Sequence, residues 1–342
     1  MFIGSPYLTG GLAPLPLHQP PLKCSPDTFY VTPNMFNCEM LRLVREAKAL
    51  SQSELAKQLG VSQPKVSRFE DGISAPNPEE LTKLSEVLGQ SSEFFHQAGS
   101  ARSQSAVSFF RKTTSIPMKV ITQFNARMNL RRLGILGELG GRKLPARRSI
   151  SHRPVTTLEE AELAANELRR LWQVPRGPIE NLTKLVEDTG CVVELFNFGA
   201  GKLDGLAIGG GTETPFVFLN DKFPADRRRF SLAHELAHIV MHRTVTETVE
   251  EEANVFAGAF LMPKEDIDTK LYPLTIEKLI ALKLEWRCSM KAILKRALQL
   301  GRIKTRYEQF LWMRLGQLGY RTTESLENDL PQETPTSIED RK

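Results

Sequence analysis

Cysteine is scarce in this chain of 342 residues, which contains only Cys24, Cys38, Cys191 and Cys288. The four are far apart in sequence and form no Cys-x-x-Cys pair. This pattern argues against a disulfide framework or a cysteine-based zinc site. The pattern indicates a reducing compartment, and we expect a cytoplasmic protein.

Long apolar runs are also missing. No stretch approaches 18 consecutive apolar residues, which excludes a membrane-spanning helix and predicts no membrane partner. The first basic residue is Lys23, and glycines and prolines interrupt the apolar positions before it, so the N-terminus does not have the form of a signal peptide. With 41% hydrophobic and 25% charged residues, the composition predicts a folded, soluble chain.

Acidic residues are nearly absent from residues 107–153, where Glu138 stands against eleven lysines and arginines. The formal charge of this stretch is therefore +10. Such a run either supplies contacts to a polyanion such as DNA or forms a solvated helical linker, and the sequence leaves both interpretations open.

The expected fold is mainly α-helical with an α+β second domain, because helical periodicity dominates and β-type runs occur in one region only. Residues 36–98 are predicted to form an all-α bundle, 99–154 a basic helical linker, and 155–322 a domain with a small β-sheet. The β-type runs are Cys191–Phe196, Leu203–Ile208 and Phe216–Leu219. Residues 323–342 are polar and are predicted to be a loose tail.

The N-terminal segment 1–34 holds seven prolines and lacks apolar periodicity. Such a segment buries too little surface to offset the entropy lost on ordering. Two interpretations remain open: a disordered tail, or a mis-called start upstream of Met35.

A helix-turn-helix pattern occupies Gln52–Asp71. Two steeply crossing helices need a small residue, a turn glycine and apolar inner faces, which Ala56, Gly60 and the surrounding leucines and valines supply. Ser62 is expected to cap the second helix, and Pro64 fits its first turn. The outward side chains suit contacts with base edges and phosphates; they are Gln63, Lys65, Ser67 and Arg68.

This segment resembles the Cro/C1-type (Xre) helix-turn-helix family over about 60 residues. The resemblance implies binding to double-stranded DNA, with Gln52 at phosphate and Gln63, Ser67 and Arg68 toward the major groove. An alternative is a structural bundle used for protein contacts, because residues 36–99 carry seven basic and nine acidic residues. A homodimer or the adjacent basic segment would strengthen DNA binding.

The strongest chemical motif is His234-Glu235-Leu-Ala-His238. On a helix, residues four apart share one face, so both imidazoles can reach one zinc ion while Glu235 reaches the metal's water. Glu250 is the favoured third ligand, with Glu251 and Glu252 as rivals, and Asn254 can orient a ligating imidazole. His242 lies too far along a continuous helix to ligate, and we assign it an orienting or structural role.

Together, the runs Arg229–His238, Glu250-x-x-Ala-Asn254-x-Phe-Ala and Leu261-Met-Pro263 resemble the ImmA/IrrE family of zinc metallopeptidases. The similarity extends over about residues 155–320. It implies Zn²⁺ bound by His234, His238 and Glu250, with Glu235 as general base. Fusion of an Xre domain to this module occurs in bacterial regulators, which implies a bacterial or phage-encoded protein.

Two functions remain open at this stage. The first is a DNA-binding transcription regulator whose zinc endopeptidase domain cleaves a repressor or related regulatory protein. The second is a non-proteolytic regulator or antitoxin whose zincin domain senses metal or a partner. A third and weaker hypothesis is that the peptidase domain cleaves its own chain within the basic segment.

Overall fold

The computed structural model describes residues 35–102, 117–198, 203–211, 213–243, 247–321, 323–336, 338 and 340. The chain divides into two compact units near Gly99, with the short stretch Glu46–Ala49 grouped with the second. The predicted tail or mis-called start at 1–34 lies outside the described residues, as does the part of the basic segment at 103–116.

The first unit is all-α. Its helices are α1 (Cys38–Ala47), α2 (Gln52–Leu59), α3 (Gln63–Glu70) and α4 (Pro78–Leu88), followed by a 3₁₀ turn at Ser92–His96. Apolar residues at helical spacing form the core of this unit. Among them are the buried side chains of Leu41, Leu55, Val66, Phe69 and Leu84. The predicted helical bundle is confirmed.

Local sequence signals set the ends of these short helices. Ser51 and Glu54 form a capping box at the start of α2. Gly60 ends the helix in the left-handed region, at φ 71°. Ser62 occupies the N-cap position of α3 but makes no side-chain cap hydrogen bond, which differs from the expectation, while Pro64 lies in the first turn as predicted.

The second unit contains a three-stranded sheet of β1 (Val192–Phe196), β2 (Gly205–Ile208) and β3 (Phe216–Asn220) in the order β1-β3-β2. β1 runs parallel to β3, with Val192 opposite Phe216. β2 runs antiparallel to β3, with Gly205 opposite Leu219. The three predicted β-type runs are therefore strands, and β2 begins two residues later than expected.

The described part of the second unit also contains nine α-helices. They are α5 (Met118–Leu139), α6 (Leu158–Leu171), α7 (Leu182–Glu187), α8 (Ala225–Met241), α9 (Val249–Leu261), α10 (Lys264–Ile267), α11 (Ile276–Trp286), α12 (Met290–Gln299) and α13 (Thr305–Gln317). Because strand side chains alternate, Ala207 and Val217 share a core with α8, whereas Leu206 and Phe218 share a core with α5. The sheet thus lies between α8 and α5.

The prediction of a linker at 99–154 is corrected by this packing. Within it, α5 buries Ile121, Phe124, Met128 and Ile135 against the sheet. Its charges are partly used inside the unit as well, since Arg131 pairs with Glu194. The helix itself was predicted correctly, but its apolar face makes it part of the second unit.

The prediction of a loose tail at 323–342 is also corrected for the described residues of that segment. Glu324 pairs with the fully buried Lys283, and Glu333 pairs with Arg229 on α8. Leu330 is buried, and the Thr336 hydroxyl donates to a carboxylate oxygen of Glu187 at 2.8 Å. The polar side chains of this segment pair with specific residues of the second unit, and the segment packs on that unit.

Within the described ranges, none of the helices combines the length and apolar character needed to cross a bilayer.

Candidate metal centre and nucleic-acid interface

Helix α8 positions the two histidines of the motif. It starts after Pro224 and is buried on most of its surface, packed between the sheet and α9. His234 and His238 lie one turn apart on one face, and their Nε2 atoms approach to 3.1 Å. Both imidazoles therefore point at one common location.

Glu250, in the first turn of α9, completes the group. Its Oε2 lies 3.3 Å from His234 Nε2, and its Oε1 lies 3.7 Å from His238 Nε2. Ligand atoms of these three side chains all lie within 4.8 Å of one another, an arrangement that could hold a metal ion.

The donor atoms suit a zinc ion. Two imidazole nitrogens and a carboxylate oxygen are typical zinc ligands, and His234 Nε2 lies 3.1 Å from His238 Nε2 and 3.3 Å from Glu250 Oε2. Glu250 Oε1 is buried and has no hydrogen-bond partner. A buried carboxylate oxygen without a donor is costly, and a cation would remove that cost.

The other ring nitrogen of His234 faces Asn254, also on α9. His234 Nδ1 lies 3.2 Å from Asn254 Oδ1. Because the amide oxygen is an acceptor, this contact places the His234 proton on Nδ1 and leaves the Nε2 lone pair toward Glu250 and His238.

His242 follows the last turn of α8 and contacts His238 on the ring side that faces away from Glu250. The two Nδ1 atoms are 2.9 Å apart, and His242 Nε2 lies 3.0 Å from Glu252 Oε2. Of the two rival acids, Glu252 is thus directed to His242, and Glu251 is exposed. Only Glu250 of the three is brought to His234 and His238.

Glu235 lies beside the cluster, buried against the edge strand. The backbone N–H of Ala207 on β2 donates to Glu235 Oε2 at 2.8 Å. A Cβ at Gly205 would meet the Phe218 carbonyl oxygen at 3.0 Å and Glu235 Cγ at 3.5 Å, so the small residue permits this close approach. Burial raises the pKa of Glu235 to about 7, against the opposing effects of His234 and the Ala207 N–H.

The histidines differ in their electrostatics. Burial, with His234 and His242 nearby, holds the pKa of His238 well below its usual value. Burial also lowers the pKa of His242, although Glu252 opposes this. At His234, burial acts to lower the pKa, but the hydrogen bond to Glu250 and the charges of Glu235 and Glu250 raise it overall.

The predicted DNA-reading side chains all lie on or beside α3 in the first unit. Arg68 and Gln63 are exposed, while Lys65 and Ser67 are half-buried. Lys65 pairs with Glu80 on α4, and the Ser67 hydroxyl donates to Asp71 at 3.1 Å.

Gln52 is held in a network that the sequence analysis missed. Gln52 Oε1 accepts from Gln63 Nε2 at 2.8 Å, and Gln52 Nε2 donates to Glu70 Oε2 at 2.9 Å. Glu70 is buried and is also paired with Arg45. These hydrogen bonds hold the side chains of Gln52 on α2 and Gln63 on α3 against each other.

Two further features of the metal centre were missed. The link from His242 to Glu252 could have been suspected, because a buried histidine needs a polar partner and four acids follow within ten residues. The Ala207 N–H contact left no sequence signal, since a backbone group is present at every position.

Comparison with known protein families gives one match for each of the two units. Residues 186–298 match the peptidase M78 family model, described as the IrrE N-terminal-like domain, and residues 41–95 match a helix-turn-helix family model. These findings define a protein that joins a helix-turn-helix region to a metallopeptidase-type region. The chain carries an Xre-type helix-turn-helix at 41–95 and a region of the IrrE/ImmA peptidase family at 186–298, so both resemblances are confirmed.

The chain is also similar, over part of its length, to a curated protein. It is the SPbeta prophage-derived uncharacterized HTH-type transcriptional regulator YonR of Bacillus subtilis (strain 168), 38% identical over 56 residues. The match covers 16% of this chain and 52% of the relative, so the chain spans about half the length of the curated relative it matches.

A solved structure, the apo form of ComR from S. thermophilus, aligns with 85% of this chain and 95% of its own chain. Its sequence identity is 11% and its TM-score is 0.17. At that score the alignment carries no argument about fold or function.

Proposed function

We propose that this chain is a DNA-binding transcription regulator with a zinc-dependent endopeptidase domain, which cleaves a repressor or related regulatory protein. The convergence of His234, His238 and Glu250, with the buried Glu235 beside them, carries the proposal. Residues 36–98 would form the DNA-reading domain and 155–322, extended by α5, the peptidase domain. A protein that reads DNA acts where the DNA is, in the cytoplasm of a bacterium.

We assign the metal as Zn²⁺, because two imidazoles and one carboxylate are the ligand set of many catalytic zinc sites. Zinc held by these three side chains would supply Lewis-acid activation of water and of a peptide carbonyl. Asn254 keeps the His234 proton on Nδ1, which directs the Nε2 lone pair to the ion.

Glu235 is the proposed general base. The Ala207 N–H occupies Oε2 and orients the carboxylate, so Oε1 is the oxygen assigned to take and later return a proton. In the metal-free chain, burial raises the pKa of Glu235 to about 7, so this carboxylate is a stronger base than an exposed one. The β2 edge strand beside Glu235 is suited to align an extended protein segment by strand addition.

On the DNA side, we propose base and phosphate contacts from the exposed surface of α2 and α3. The contributing side chains are Gln52, Gln63, Lys65, Ser67 and Arg68. Because the described part of the basic segment is partly paired within the second unit, a homodimer is the favoured way to enlarge the interface.

The test is peptide-bond cleavage by the zinc-loaded full chain. New protein termini in a bacterial extract are mapped by labelling and mass spectrometry, with wild type, Glu235→Gln and the exposed control Glu251→Gln. We expect termini with wild type and Glu251→Gln that disappear with Glu235→Gln. Cleavage unchanged in Glu235→Gln contradicts the base assignment, and no cleavage by the zinc-bound wild type favours a non-proteolytic regulator or antitoxin.

A further inference from the structure

A line of buried polar groups runs away from the metal centre behind His238. His238 Nδ1 lies 2.9 Å from His242 Nδ1, and His242 Nε2 lies 3.0 Å from Glu252 Oε2. The Thr248 hydroxyl donates to the other oxygen, Glu252 Oε1, at 2.7 Å. The side chains of His238, His242 and Glu252 are 1%, 4% and 2% exposed, so water has little access to this line.

The direction of these hydrogen bonds follows from which groups carry hydrogen. A carboxylate only accepts, so the nitrogen facing Glu252 must be the donor, and His242 carries its proton on Nε2. A neutral imidazole has one N–H, which makes His242 Nδ1 an acceptor. His238 must then donate from Nδ1, and its Nε2 lone pair is left toward His234 and Glu250.

We propose that His242 and Glu252 are positioning residues that fix the tautomer of His238 so that its Nε2 lone pair faces the metal. The inference rests on the proposed metal site. Carboxylate–histidine–metal arrangements are a general device for orienting ligands; here an additional imidazole is inserted between the carboxylate and the ligating histidine.

The two ligating histidines are therefore oriented by different means. His234 faces a neutral amide at its half-buried side, at 3.2 Å. His238 is oriented through a charged carboxylate inside the core. Because His238, His242 and Glu252 are closed to water, solvent cannot replace a lost hydrogen-bond acceptor there. We therefore expect a substitution of Glu252 to weaken zinc binding strongly.

Replacement of Glu252 by glutamine tests this directly. The amide has nearly the same volume but can donate through its nitrogen, which permits the reversed chain with a proton on His238 Nε2. The exposed neighbour Glu251 provides a matched control, since Glu251→Gln removes the same charge one residue away.

The measurement is zinc affinity of the full chain by competition with a chelator. We expect Glu252→Gln to bind about 10- to 100-fold more weakly than wild type, and Glu251→Gln to be unchanged. Equal affinities of wild type and Glu252→Gln overturn the inference. A wild type that binds no zinc contradicts the proposed function instead, so the two failures are distinguishable.

A second measurement does not depend on any variant folding. Ring ¹⁵N chemical shifts of the metal-free wild type identify which nitrogen of each histidine carries the proton. We expect His238 to be protonated on Nδ1 and His242 on Nε2. Protonation of His238 on Nε2, with His242 on Nδ1, refutes the proposed tautomer control.

Discussion

The docked C-terminal segment gives the sharpest stability prediction. The Arg229 side chain is 3% exposed on α8, its Nε has no partner, and Glu333 provides its carboxylate. Glu333 also accepts the Thr183 N–H at 2.8 Å. In Glu333→Gln the amide can still accept from Thr183, but the buried guanidinium loses its counter-charge.

Removing one partner of a buried ion pair costs about 3–5 kcal/mol, and the hydrogen bond that glutamine retains favours the lower limit, about 3 kcal/mol. For a unit of this size, 1 kcal/mol lowers the melting temperature by about 2–4 °C, so we expect a decrease of roughly 6–12 °C. Differential scanning calorimetry of the metal-free chain measures it.

Asp329→Asn is the matched control, because Asp329 is an exposed acid of the same segment. We expect its melting temperature to stay close to that of wild type. If Glu333→Gln melts like Asp329→Asn, the segment does not neutralise Arg229 and its docking contributes little to stability.

Three further outcomes are expected. Glu235→Gln should keep zinc but slow proteolysis by about 10²- to 10⁴-fold, measured as single-turnover cleavage; full activity would refute the base assignment. Arg68→Ala should weaken binding to a specific DNA site by about 1–3 kcal/mol while hardly changing binding to random DNA, and equal losses on both would contradict a base-reading role. Removal of zinc should lower the melting temperature, since an ion at 100 times its Kd stabilises the fold by about 2.7 kcal/mol; a Glu250→Ala chain that keeps the whole shift would contradict the site.

Periodicity and spacing were enough to predict much of this molecule. The all-α bundle followed from apolar residues at helical spacing around Gly60, and the three strands followed from short β-type runs. The pairing of His234 with His238 followed from their separation by four residues on a helix. In each case the decisive physics is local.

Other features depend on packing between distant segments. The sequence could not decide among Glu250, Glu251 and Glu252, because the choice depends on which face α9 turns to α8. The basic charges around α5 hid the apolar face that includes Phe124 and Met128. Likewise, the polar tail looked unsupported because its partners, such as Arg229, lie about a hundred residues away.

The most direct test of the central claim is the zinc content of the purified full chain, compared for wild type, Glu250→Ala and Glu251→Ala. We expect about one zinc per chain in wild type and in Glu251→Ala, since Glu251 is exposed, and none retained in Glu250→Ala. Zinc lost in Glu251→Ala but kept in Glu250→Ala, or no zinc in wild type after gentle purification, would contradict a metal centre formed by His234, His238 and Glu250.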